Sequence, residues 1–228
     1  MIRLTPRLAA VAELVPTGRM LADIGTDHAY LPAYLVGSGA VPGAIASDLR
    51  EGPLDAARAT LATEGLLDRV ALRAGSGLTV LQPHEVATVT ICGMGGLLVN
   101  AILAEGPLAG VERLVLQPNT DEPAVRQWLA NHGWRLVDER LIEEERHFYV
   151  AMAAERGAMC LTPVEQLLGP HLIRAGGPTF KRYVQLLLKR NAAALAGASS
   201  SPAARARAAA LTDEKRLLEE VLGHGHGR

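Results

Sequence analysis

Over the first 157 residues, short continuous apolar runs alternate with stripes of helical period. RMLADI, GAIASDL, VALRAG, VATVTICG and ERLVLQPN each read as a strand. VATVTICG is the most continuously apolar, as suits a strand buried on both faces. Helical patterns lie between them. AYLPAYLVGSG carries Pro32 in its opening turn. GPLDAARATLATEG spaces Leu54, Ala57, Arg58 and Leu61 helically, and LLVNAILAEG stops at Gly106-Pro107. DEPAVRQWLANHG has Asp121 placed to cap it and Gly133 to end it. Strands alternating with helices predict βαβ units and a mostly parallel sheet. WRLVDERLIEEERHFYVAMAAE, two extended runs around a charged turn, predicts a closing β-hairpin.

After Gly157 the strand pattern stops. TPVEQLLGPHLIRAG, FKRYVQLLLKRNAAALAG and SSSPAARARAAALTDEKRLLEEVLG are helical patterns, with turn-like residues at 197–202 before the last. The last two are long enough to pair as an antiparallel hairpin that buries their apolar stripes. The expectation is an α/β domain over 1–157, closed by the β-hairpin, and a small α-helical domain over 158–228. The final GHGHGR reads as a frayed tail, with weak metal binding by its two histidines as the lesser alternative.

The 228 residues, 49% of them hydrophobic, suffice for one domain plus an appendage. No apolar run approaches the ~20 residues of a membrane span, and MIRLTPRLAAVAELVP lacks a long apolar signal core. Cys92 and Cys160 form neither a disulfide framework nor a CxxC metal pair. A reduced, cytoplasmic protein without metal is expected. Residues 1–157 hold 13 Arg against 19 Asp and Glu, whereas residues 158–228 hold 10 Lys and Arg against 5. This division is open to two readings, a nucleic-acid-binding module or a solvated helical face.

Candidate chemistry starts at LADIGTDHAYLP. A dinucleotide loop needs further glycines so that backbone and helix N-terminus approach the phosphates. Here Asp27, His28 and Tyr30 stand instead. A cationic, phosphate-free cofactor such as S-adenosylmethionine suits Asp23 and Asp27 better; a turn and a helix cap are the alternative roles. An NAD-dependent oxidoreductase is the least suitable reading. Asp48, 25 residues after Asp23 at a strand end, is placed to accept both hydrogen bonds of a ribose diol. AGSGL lies where an adenine ring would be clamped, with Ser76 toward its amino group. ICGMGG allows close approach of a flat ring beside polarizable Met94, or forms a tight turn with Met94 in the core. The amides of Gln117 and Asn119 suit a base edge.

LTPRL, LADIGTDHAYLP, EGPLDAAR, GSGL, GMGG, LQPN, the Trp128 to Trp134 segment and HFYVAM occur in this order. Together they resemble the bacterial TrmK family, tRNA methyltransferases that use S-adenosylmethionine to methylate N1 of adenine 22. The likeness runs from about Leu4 to Met152 and is weaker beyond. It implies a Rossmann-like methyltransferase domain followed by a helical, coiled-coil-like domain. It places Arg7, Asp23, Gly25, Thr26, Asp27, His28, Asp48, Leu49, Gly75, Ser76, Gly77, Gly93 and Met94 at the cofactor. Gly95, Gly96, Gln117, Pro118 and Asn119 would join Gly93 and Met94 around the acceptor. Ser76 departs from the Asp or Asn that the family carries.

Adenine N1 has a free lone pair, so the implied reaction needs in-line positioning more than a strong base. In this reading Met94, Gln117 and Asn119 hold the adenine, and Asp27 orients the cofactor or accepts a proton. His28 serves the site or only starts a helix, and Tyr30 and Tyr149 stack or pack. N1 lies on the pairing edge, so the base must leave its stack and the RNA must be anchored. Arg174, Lys181, Arg182, Lys189 and Arg190 are the expected phosphate contacts, with Arg205 and Arg207 extending the track. A monomer is expected, with weak dimerisation as the alternative. A methyltransferase for another RNA site or a small molecule, or a non-catalytic binding module, remain rival readings.

Overall fold

A computed structural model of the protein describes residues 2–197 and 202–224. The apolar runs form seven strands: β1 (Leu21–Ile24), β2 (Ala44–Asp48), β3 (Val70–Ala74), β4 (Thr88–Gly95), β5 (Arg113–Thr120), β6 (Trp134–Glu144) and β7 (His147–Arg156). They make one sheet in the order β3-β2-β1-β4-β5-β7-β6. Strands β1 to β5 are parallel, β7 runs antiparallel to β5, and β6 antiparallel to β7. All four residues of β1 are buried, because helices cover both faces of the sheet there. Glu145 (φ 48°) and Arg146 (φ 66°) are both left-handed, the geometry of a tight hairpin whose twist matches the flanking strands. Strand order reverses between β1 and β4, which opens a crevice at the carboxyl ends of the strands.

The predicted helices form as α2 (Tyr30–Gly37), α3 (Glu51–Thr63), α4 (Gly96–Glu105) and α5 (Glu122–Asn131). A further helix, α1 (Pro6–Leu14), was not predicted. Its signal was local: Thr5 Oγ1 accepts from Leu8 N, and Pro6 occupies the first helical position. The side chain of Asp121 makes no cap bond, contrary to its predicted capping role. Asp121 sits left-handed at φ 59°, and its carboxylate accepts from Thr120 Oγ1 instead. Val11, Leu14, Leu35, Val36 and Leu61 pack with Ala46, Val115 and Ala151 in one core cluster. Each fully buried Leu or Val there stabilises by about 1.5–3 kcal/mol. Between α5 and β6, Arg126 Nε donates to Glu139 Oε1 at 2.8 Å with both side chains fully buried. Removing one partner would strand the other charge, at about 3–5 kcal/mol.

The chain divides into two compact units, 1–160 and 161–228. In the second, TPVEQLLGPHLIRAG is not one helix but two, α6 (Pro163–Leu168) and α7 (Pro170–Ala175). Gly169 at φ 90° followed by Pro170 breaks them apart. Thr162 and Glu165 form a reciprocal capping box at the start of α6. The two long helices, α8 (Gly177–Ala196) and α9 (Pro202–His224), pack together, burying Phe180, Tyr183 and Val184 on one and Leu218 on the other. Asn191 Nδ2 donates to Leu211 O across them at 3.0 Å. The predicted turn falls in part, and the Gly-His tail from residue 225 on falls wholly, outside the described residues. No described helix is long and apolar enough to cross a membrane.

Candidate active site

Sheet order lays the chemistry out along one edge, because each strand delivers the residues at its carboxyl end. After β1, buried Asp23 is held at both oxygens: Oδ1 accepts from Thr90 Oγ1 at 2.6 Å and Oδ2 from Thr26 Oγ1 at 2.7 Å. Burial pushes its carboxyl above the usual range, and the two hydroxyls oppose that shift. Gly25 N and Thr26 N both donate to Ser47 O, at 2.8 and 2.9 Å. These backbone N–H groups are tied to β2 and are not offered to a phosphate. Gly25 (φ 72°), Asp27 (φ 52°) and Ala29 (φ 54°) are all left-handed. This zigzag turns the Asp27 and His28 side chains outward, 70% and 47% exposed, with Nε2 and Oδ2 3.7 Å apart. The His28 ring stacks on Tyr30, centroids 5.2 Å apart and planes 10° apart. A Cβ on Gly25 would meet the methyl end of the Met94 side chain, so glycine leaves room here for Met94.

After β2, Asp48 Oδ1 accepts from Arg50 N at 3.0 Å, and Leu49 is 71% exposed. After β3, Gly75 N donates to Asp48 O at 3.1 Å, which ties the two strand ends together. Arg73 pins the following 3-10 turn (Gly77–Val80) by donating to Val80 O at 2.8 Å and to Glu85. The guanidinium bond holds the Glu85 carboxyl down at about 2.

The β4–β5 side is built differently. GMGG forms no separate turn: β4 continues through Gly95, and α4 begins at Gly96. Cys92 pairs with Gln117, Met94 with Pro118 and Gly95 with Thr120, so Gly93 is bulged from β4 and Asn119 from β5. Asn119 Nδ2 donates to Gly93 O at 2.8 Å and staples the two bulges. Gln117 Nε2 donates to Asn119 Oδ1 at 3.1 Å, and Arg7 Nη1 donates to Gln117 Oε1 at 2.5 Å. The Arg7 guanidinium lies 5.5 Å from the centre of the Tyr149 ring. A chain Arg7–Gln117–Asn119–Gly93 thus fixes which way each amide points. Burial pushes the Cys92 thiol up, and the charge of Asp23 adds to that, so it stays a protonated thiol at neutral pH and no ready nucleophile.

These residues surround a cavity of about 750 Å³. It is lined by Arg7, Asp23, Gly25, Thr26, Asp27, His28, Asp48, Leu49, Gly75, Ser76, Gly77, Gly93, Met94 and Asn119. Gln117, Pro118, Gly95 and Gly96 do not line it. Gln117, completely buried, cannot meet a base edge; its amide is spent on Arg7, Pro118 O and Asn119. Gly96 serves packing, since a Cβ there would lie 2.6 Å from Thr120 O. Tyr30, Tyr149, Leu98 and Ser47 also line the cavity. Of these, Leu98 and Ser47 were not anticipated, because nothing in a local pattern marks them. Arg174 on α7 and Lys181, Arg182, Lys189 and Arg190 on α8 are all exposed, in the second unit. Among the described residues no cluster of His, Cys, Asp and Glu could hold a metal ion.

The cavity fits S-adenosylmethionine. Asp48 offers a carboxylate for a diol, exposed Leu49 a surface for a flat ring, and the β1 turn no cradle for phosphate. Fold and site together define a Rossmann-like methyltransferase, and residues 4–152 match the family model for a methyltransferase domain. Over nearly its whole length the chain resembles the Bacillus subtilis tRNA (adenine(22)-N(1))-methyltransferase, with 36% identity covering 98% of this chain and 99% of that protein. The B. subtilis TrmK crystal structure has a TM-score of 0.88 at 33% identity, covering 97% of this chain and 99% of its own. A Streptococcus pneumoniae protein crystallised with S-adenosyl-L-methionine has a TM-score of 0.87 at 37% identity, covering 97% of this chain and 100% of its own. The chain belongs to the TrmK family of tRNA methyltransferases.

Proposed function

We propose that this protein methylates N1 of an adenine in tRNA, adenine 22, with S-adenosylmethionine as donor. The observation that carries the reading is the cavity itself. Its β1–β3 side suits a nucleoside without phosphates, and its β4–β5 side offers a stapled, glycine-bordered wall for a flat base. Bound there, S-adenosylmethionine supplies an electrophilic methyl, which the N1 lone pair takes as the C–S electrons return to sulfur.

The chain's own residues have four tasks. Asp48 accepts the ribose hydroxyls and Leu49 covers the adenine ring of the donor. The bulge at Gly93, held by Asn119, lets the acceptor ring approach the methyl without a side chain between them. Asn119 keeps a second amide hydrogen and a second lone pair for the base edge. Gln117 and Arg7 act through it as positioning residues. Asp27, exposed at the rim, orients the cofactor or accepts the N6 proton that the cationic product releases. The domain over 1–157 carries this chemistry. In the domain over 158–228, Lys181, Gln185 and Lys189 follow one another at helical spacing on α8. With Arg174, Arg182 and Arg190 they contact tRNA phosphates.

Incubation with total tRNA and labelled donor, followed by mapping of the modified nucleotide, tests the reading. Label at N1 of adenine 22 is expected. Label on another nucleotide or on a small molecule, or binding without transfer, would overturn it.

A further inference from the structure

The outer face of α4 is unusual for a surface helix. Gly96, Val99, Ile102 and Leu103 form its buried stripe. The remaining face presents Leu97, Leu98, Ala101 and Ala104, all exposed, and no charge before Glu105. An ordinary solvent face carries polar and charged side chains. Leu97 and Leu98 are 66% and 53% exposed. Six large hydrophobic side chains are exposed among the described residues; Tyr30, Leu49 and Leu98 line the cavity, and Leu97 is the next residue along. Half of the exposed large apolar side chains among the described residues therefore lie at this one cavity, more than isolated exposed residues would place there.

Resting on the tRNA reading above, we infer that Leu97 and Leu98 are a wedge that enters the RNA stack beside the target adenine. They hold the gap open while that adenine occupies the cavity. The occupant of this face is therefore an unstacked nucleobase. Three features select it. Leu98 lines the cavity, and Leu97 precedes it on the exposed face of α4, so the apolar face of the helix begins at the cavity itself. The α4 face has no charge before Glu105 with which to pair a phosphate or a charged peptide, and suits an apolar ring face. The stacked His28–Tyr30 rings on the same cavity offer a second flat surface. Because N1 is reached only when the adenine leaves its neighbours, side chains that replace the lost stacking lower the cost of extrusion.

Leu97→Ser in the full-length protein tests this, with Leu97→Met as the conservative control. On folded tRNA, kcat of Leu97→Ser should fall about tenfold, the scale of losing part of an unstacking energy. The fluorescence rise of 2-aminopurine placed beside the target should shrink with it. A short unstructured RNA carrying the same adenine has no stack to open, so its methylation should stay at the wild-type rate. Leu97→Met should restore the folded substrate. The inference is overturned if Leu97→Ser methylates folded tRNA normally, or loses activity equally on both RNAs. It is overturned too if the wild-type protein sediments as a dimer that the variant splits, since a second copy would then cover the face. Wild-type protein inactive on every RNA would sink the tRNA reading itself; an active wild type with an indifferent variant sinks only the wedge.

Discussion

The two sides of the cavity solve the same problem by different means. On the β1–β3 side, short turns follow the strands and are held by backbone bonds to Ser47 and Asp48 and by the Arg73–Glu85 ion pair. On the β4–β5 side, the strands run on into the site, and paired bulges stapled by neutral amides shape the wall. In the proposed reading a donor nucleoside is gripped at several separate groups, so several independent turns suffice. An acceptor base must meet one methyl group in line, which asks for a rigid wall, and a paired strand is stiffer than a loop.

The sharpest way to break this comparison is to put the same change on both sides. Gly25 and Gly93 have φ of 72° and 76°, so alanine costs each about 1–2 kcal/mol of backbone strain. Only at Gly25 does the new Cβ strike Met94; at Gly93 its nearest neighbour is Arg7 Nη1 at an ordinary 3.8 Å. Gly25→Ala must in addition swing the end of the Met94 side chain, which lines the cavity, and should therefore weaken donor binding more than Gly93→Ala does. Gly93→Ala should stay within about 30-fold, the most that the strain alone would cost. Equal losses by calorimetry would show that Met94 does not couple the two sides.

Next in size, Asn119→Ala removes the staple and should lower kcat by about 10–100-fold, with donor affinity within about twofold. Gln117→Ala should act in the same direction and less. A matching loss of donor affinity would mean that the sides are not separable.

A smaller effect separates them by pH. The folded carboxyl of Glu85 is depressed to about 2 by Arg73, so its stabilisation is present above the ordinary 4.5 and is lost as pH falls toward 2. The Tm gap between wild type and Glu85→Gln should close over that window, whereas the gap for Asn119→Ala, a neutral amide, should show no such trend. Smallest of all, Lys189→Gln should leave both sides of the cavity unchanged. It should reduce the salt dependence of tRNA binding by about one phosphate contact.

The β1–β3 side was the more legible in sequence. Asp23, Gly25, Asp27, His28, Asp48 and Leu49 lie at or just beyond strand ends, and a run of apolar residues reveals where a strand ends. The second side was read less well for a definite reason. Gln117 and Asn119, two apart, would share a face in a regular strand, and both were assigned to the base edge. The bulge at Asn119 breaks that parity, leaving Gln117 buried and Asn119 at the cavity. Asp121 failed as a cap through its left-handed backbone, which composition does not announce.

What the amino-acid order determined by itself was the alternation of elements, the phosphate-averse first turn and the carboxylate at the end of β2. These are local properties, fixed by residues adjacent in the chain. Tertiary structure alone decided the partners of those residues. Arg7 meets Gln117 across 110 positions, Asn119 meets Gly93 across 26, and Thr90 meets Asp23 across 67. Such pairings depend on which strands lie side by side and in what register. They are settled only when the whole sheet buries its apolar faces at once, because no short segment gains enough from its own contacts to choose them.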